Sequence, residues 1–240
     1  MSWIDEKKIF IIALPLLIFA CGKDDEKPDA EVHTDAYVIR KNIGGEEKAA
    51  TAWYAFANTR LTSVTVTPPP GVGEPFELEA DSLSSYSFFK DPVAEDYKTI
   101  WPIESDYQFE VVTREGLIIQ QTDHLEKVEI DIPVISSTIY SPINNALKVQ
   151  WDQHAGADGI VLKLLDNEKD VLFISHMIMP YSAESFIAEG TGNWFSIVNP
   201  GEQMTLQIQS IAYESNATEE NNMYNIATIC ISEKIIVWGM

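Results

Sequence analysis

Four histidines, 37 carboxylates and two cysteines are the residues of this chain with types suited to chemistry. Their spacing argues against most of it. His33, His124, His154 and His176 stand alone, without an HExxH pair or other short metal-binding spacing. A zinc site would have to be assembled from distant strands. There is no G-x-S-x-G elbow and no reactive-cysteine setting. Gly190-Thr191-Gly192 lacks the lysine and the strand-to-helix context of a phosphate loop. Glu46-Glu47, Glu95-Asp96 and Glu219-Glu220 are paired, and Glu129 and Asp131 alternate on one strand face. Paired carboxylates serve glycosidases or bind Ca²⁺. In a chain of formal net charge −21 their plainer reading is solvated surface. The expectation is therefore a chain that is not an enzyme, with no metal and no cofactor.

Aromatic residues are the stronger lead, because a sugar ring stacks on an exposed aromatic face. Trp101, beside Pro102, and Trp194, after Gly190-Thr191-Gly192-Asn193, fall at loop–strand junctions where a side chain can stay exposed. They are the candidate ligand platforms. The competing reading packs each over the open end of its own domain. Trp151 reads as core, and Trp53 and Trp238 as core or sheet surface.

These residues must be carried by a folded, exported body, and the start of the chain says how it is exported. Lys7 and Lys8 precede an apolar run from Ile9 to Ala20. That run is too short to span about 30 Å of hydrocarbon and fits a secretory signal segment. Ile18-Phe19-Ala20-Cys21-Gly22 resembles the lipobox of bacterial lipoproteins, which implies cleavage before Cys21 and lipidation of its thiol. Two or three acyl chains would then hold the protein on a membrane. Gly22 to Asp29, rich in charge and carrying Pro28, reads as a disordered tether. It also resembles the lysine-plus-acidic export signal of Bacteroidetes surface lipoproteins, which implies an outer-membrane location facing the exterior. Asp81-Ser82-Leu83 resembles the O-glycosylation acceptor of the same bacteria and marks Ser82. Cys230, left without a partner and set in Ile229-Cys230-Ile231, reads as a buried inert thiol.

Beyond the tether, short β-branched and aromatic runs alternate with turn signals. Tyr37–Ile43, Thr51–Phe56, Leu61–Thr67, Phe76–Glu79, Tyr107–Val112 and Leu117–Gln121 predict strands. Gly44-Gly45, Pro68-Pro69-Pro70-Gly71, Asp91-Pro92 and Arg114-Glu115-Gly116 predict the breaks. No stretch carries a sustained helical period. After Asp131-Ile132-Pro133, strands are predicted at Leu147–Trp151, Ile160–Leu165, Val171–Ser175, Trp194–Val198, Met204–Ala212 and Ile226–Trp238. With Trp151 in the second strand and the Ala155–Gly159 turn after it, this half resembles a fibronectin type III or immunoglobulin-like domain. Ile160 departs from the tyrosine usual at that place.

The expected fold is all-β: two tandem immunoglobulin/fibronectin III-like β-sandwiches after a cleaved signal peptide. The boundaries are 1–20 signal, 21–32 lipidated cysteine and tether, 33–132 first sandwich and 133–240 second sandwich. The acidity makes nucleic acid and anionic lipid implausible partners. The expected function is a non-catalytic, lipid-anchored cell-surface binding or accessory module. Its partners would be membrane lipid through acylated Cys21, with polysaccharide or other surface proteins as ligand. The alternative is an adhesin or fimbria-type subunit that assembles by strand addition with its Ile226–Trp238 tail. A hydrolase comes last.

Overall fold

A computed structural model describes residues 30–82, 84–152, 156–178, 185–189, 194–196, 198–218 and 225–240. Cys21 and its tether therefore lie outside the described residues. Fifteen strands run in chain order: β1 (Val32–Ile43), β2 (Glu46–Ala57), β3 (Leu61–Thr67), β4 (Phe76–Glu77), β5 (Glu79–Asp81), β6 (Ser84–Lys90), β7 (Ser105–Thr113), β8 (Ile118–Leu125), β9 (Ile135–Ser141), β10 (Ala146–Trp151), β11 (Gly159–Leu165), β12 (Val171–Ile174), β13 (Ser185–Glu189), β14 (Gln203–Tyr213) and β15 (Ile226–Val237). A single 3₁₀ turn, Ala94–Asp96, is the one helical element among the described residues. The fold is all-β, as the strand pattern predicts.

Two sandwiches account for the strands. In the N-terminal one, β1-β2-β6-β5 faces β4-β3-β7-β8. Val38, Val64, Val66, Phe88, Phe109, Val111 and Leu125 fill the space between them. In the C-terminal one, β13-β10-β9 faces β12-β11-β14-β15. There Val149, Trp151, Leu162, Leu164, Leu206, Ile208 and Trp238 form the core. Trp151 is buried as its position predicts. The strand period of two delivers these residues: Leu162 and Leu164, or Leu206 and Ile208, point inward while Lys163 and Gln207 point to the other face. Gly44 and Gly45, expected as a break, stand at φ 65° and 85° and close a two-residue β1–β2 hairpin.

The sandwiches are not beads on a string. β1 pairs in parallel with β15, Val38–Lys41 against Thr228–Ile231, so one eight-stranded sheet crosses both. β15 also pairs antiparallel with β14 along nearly its whole length. The segment that the alternative reading donates to another subunit is here paired within its own chain. The Ile226–Trp238 segment is the central seam of the chain's own sheet, hydrogen-bonded to a strand on either side.

The seam is buried. Cys230 and Ala212 of the C-terminal sandwich pack against Ile130 of the linker. Arg40 reaches under the linker, donating to the Ile130 carbonyl and pairing with Glu47. Its guanidinium also lies 3.7 Å from the Cys230 thiol. Thr228 Oγ1 donates to the Val128 carbonyl at 2.7 Å. The linker is thus bolted to the shared sheet on both sides.

One strand expectation fails, and some strands were not predicted. Trp194–Val198 is not a strand: Trp194 makes an isolated bridge to Phe173, and the chain bends at Phe195-Ser196. β13 takes the place beside β10 instead. β6, the SSYSFFK segment, was not among the predicted strands.

Candidate binding cleft and a junction of carboxylates

The outward face of the shared sheet holds a cleft of about 520 Å³. Its floor follows from the register. Lys163 of β11 stands opposite Gln207 of β14, and Gln207 opposite Glu233 of β15. The next row places Gln209, Ile231 and Lys41 side by side on β14, β15 and β1. Gln209 Nε2 donates to Gln207 Oε1 at 2.5 Å, and Gln207 Nε2 donates to Glu233 Oε1 at 2.9 Å. The amides are thereby held in one orientation.

The N-terminal end of the cleft is aromatic. Tyr37 and Tyr97 belong to a small cluster with Ile39, Ala50 and Ala52. The loop from Asp91 through the 3₁₀ turn folds Tyr97 over the sheet, where the Lys41 ammonium lies 4.2 Å from its ring centre. Loss of water, rather than neighbouring charge, dominates the electrostatics. Burial raises the Tyr37 and Tyr97 phenols above their usual range. Burial also raises the Asp91 carboxyl, with Lys163 and Lys41 opposing. Lys163 is lowered by burial, with Asp91 opposing. Such a floor offers donors, acceptors and an apolar wall to one small ligand, the usual character of a binding site.

The tryptophans proposed as platforms are both half-buried. Trp194 packs on the C-terminal core, its ring 5.1 Å from Phe173 and 5.0 Å from Trp238. Its face is used inside the sandwich. Trp101 packs on the N-terminal core, with Arg40 4.2 Å and Lys127 4.6 Å from its ring centre. It also borders a shallow recess of about 670 Å³ with Ile100 and Ile103, which are 80% and 74% exposed. The two tryptophans therefore do not converge on one site, and neither lines the sheet cleft. Ser82 is exposed on the β5–β6 turn. Cys230 is fully buried, and burial pushes its thiol up to about 11.

A second constellation escaped the reading of the sequence. Asp35 of β1, Asp123 of β8 and Glu214 just past β14 bring carboxylate oxygens within 4.8 Å of one another. They meet where the parallel ladder runs out. Asp35 Oδ2 accepts the Ile226 N–H at 3.1 Å, and Asp123 Oδ2 accepts the Ala36 N–H at 2.7 Å. Two carboxylates thus complete the bonding of diverging strand ends. Burial raises all three: Asp35 well above the carboxylate range, Asp123 to about 6 and Glu214 to about 7. Mutual repulsion adds to burial in Asp35 and Glu214. With 87 or more residues between Asp123 and either partner in sequence, no motif could flag the group. One signal was available: Asp123 shares the inward phase of β8 with Ile119 and Leu125.

No family model matches the chain, and no curated protein matches it. Solved structures do. A two-domain fibronectin type III segment of chicken tenascin is 12% identical, covering 86% of this chain and 99% of its own, at a TM-score of 0.30. A tetra-tandem repeat from the extending region of a large adhesion protein is 12% identical, covering 87% of this chain and 50% of its own, at 0.28. The BSP domain of a biofilm associated protein is 9% identical, covering 85% and 51%, also at 0.28. The chain spans about half the length of the latter two.

Proposed function

We propose that this chain is a non-catalytic binding module of a lipid-anchored cell-surface protein, and that its ligand is a carbohydrate held in the cleft of the shared sheet. The single observation that carries the reading is the cleft itself. It presents two oriented glutamines, Lys41, Lys163 and Glu233 beside a tyrosine-lined wall, across strands of both sandwiches. A sugar offers alternating hydroxyls and apolar ring faces, which match amides and charges on one side and aromatic carbon on the other. Acylation of Cys21 would anchor the module at the outer membrane facing the exterior, and Ser82 would carry its glycan on an exposed turn.

The test is calorimetric titration of the soluble chain, beginning after Pro28, against a panel of polysaccharides. At least one should give saturable heat. Gln209→Ala should weaken that binding about tenfold, the cost of an oriented hydrogen bond to a bound ligand. Trp194→Ala, checked for folding, should bind as wild type. A flat response across the panel from folded protein would end the carbohydrate reading. Loss of binding in Trp101→Ala alone would move the site to the recess beside that residue.

A further inference from the structure

Asp35 is 1% exposed and Glu214 is 6% exposed, yet Asp35 Oδ1 and Glu214 Oε1 have no hydrogen-bond partner among the described residues. A buried carboxylate oxygen left this way is costly unless a cation meets it. Among the described residues no salt bridge reaches Asp35, Asp123 or Glu214. His124 acts favourably on Asp123 and Glu214, but that ring is engaged with Asp106 at 2.6 Å. Glu126, on the linker, faces Glu214 and adds to the negative field while accepting the Ser215 N–H. Among the described residues the arrangement has no ion-paired cation of its own.

We infer that Asp35, Asp123 and Glu214 form a Ca²⁺ site that ties the N-terminal sandwich to the C-terminal one. Two oxygens bound to one Ca²⁺ at 2.3–2.6 Å can stand up to about 5 Å apart. The three oxygens here already lie within 4.8 Å of one another. The donors are all carboxylate oxygens, which selects a hard cation over zinc or copper. Mg²⁺ demands a near-ideal octahedron at about 2.0–2.1 Å, tighter than carboxylate oxygens standing up to 4.8 Å apart suit. The ligands come from β1, β8 and the end of β14, so one ion would join both sheets of the first sandwich to the second. None of the three lines the cleft, so this site stands or falls apart from carbohydrate binding.

The experiment is titration of Ca²⁺ into chelator-treated soluble chain at pH 7.5, with thermal melting alongside. We expect one ion per chain. The melting temperature should rise by about 5–10 °C at a hundredfold excess over the Kd. Mg²⁺ at equal concentration should give a smaller rise. Asp35→Asn and Glu214→Gln should each cut Ca²⁺ affinity at least tenfold. In chelator they should melt at or above wild type, because each removes a buried charge and keeps its volume. Glu46→Gln, at the exposed start of β2, should bind as wild type. No saturable heat and an unchanged melting temperature in folded wild type would overturn the inference. Wild-type affinity in Glu214→Gln would overturn it equally. If a variant fails to fold, the wild-type titration alone decides.

Discussion

At Asp35 a carboxylate gives up nearly all of its hydration and receives one backbone N–H in exchange. Burial raises the pKa of Asp35, Asp123 and Glu214, so the folded chain holds protons that the unfolded chain has released. The stability lost is set by that difference in proton binding. In chelator, the melting temperature should be highest below the unfolded carboxylate range, near pH 4. It should fall as pH climbs toward about 7, the raised value of Glu214. The net charge of −21 pushes in the same direction. The paired substitution Asp123→Asn/Glu214→Gln should therefore flatten the slope without abolishing it, and an unaltered slope would remove the cluster as its source. Cys230 gives a second prediction at this scale. Its thiol is buried and pushed up to about 11. It should resist alkylation in native protein at pH 8 and react fully in denaturant. Arg40 gives a third. Truncating it leaves the buried Ile130 carbonyl only the weak Cys230 thiol donor and removes one of two cations from the Trp101 ring, and Arg40→Ala should cost about 2–4 kcal/mol by chemical denaturation.

The strands were legible wherever alternation and turn chemistry agreed. β3 runs Leu61–Thr67 as predicted, and Gly44-Gly45 breaks the chain between β1 and β2 as its composition predicts. β6 was missed because Ser84-Ser85-Tyr86-Ser87 carries no apolar alternation. Phe88, which packs on the core, and its pairing with β2 and β5 hold it in place. Trp194 was misread as opening a strand because an aromatic after a glycine-rich turn is a strand signal. Its ring plugs the end of the sandwich while the chain bends. The β1–β15 pairing was beyond reach for another reason. Parallel pairing of Val38 with Thr228 joins residues 190 apart, and nothing local in either strand specifies its neighbour. The cleft inherits that limit, since Lys41 and Gln209 become neighbours only through the seam. The carboxylate cluster inherits it as well.

As a whole molecule, the chain behaves as two cores sharing one sheet. The seam, the linker bonds of Arg40 and Thr228, and the small core around Ile130 and Cys230 couple the sandwiches. The second sandwich cannot keep β15's outer edge covered without the first. Scanning calorimetry should show one cooperative transition for residues 30–240, and the calorimetric enthalpy should match the van't Hoff value. Two separated transitions would mean that the seam contributes little. A shared sheet also explains how a binding floor can draw on both sandwiches at once, which independent domains on a linker would not hold in register. That joint floor is the central claim, and affinity in a pair of lysine variants tests it most directly. Lys41 lies on β1 of the first sandwich and Lys163 on β11 of the second, and both line the cleft. With a polysaccharide that binds wild type, Lys41→Ala and Lys163→Ala should each lower calorimetric affinity about tenfold, while both proteins melt within a few degrees of wild type. Wild-type affinity in both variants, with the fold intact, would contradict the account.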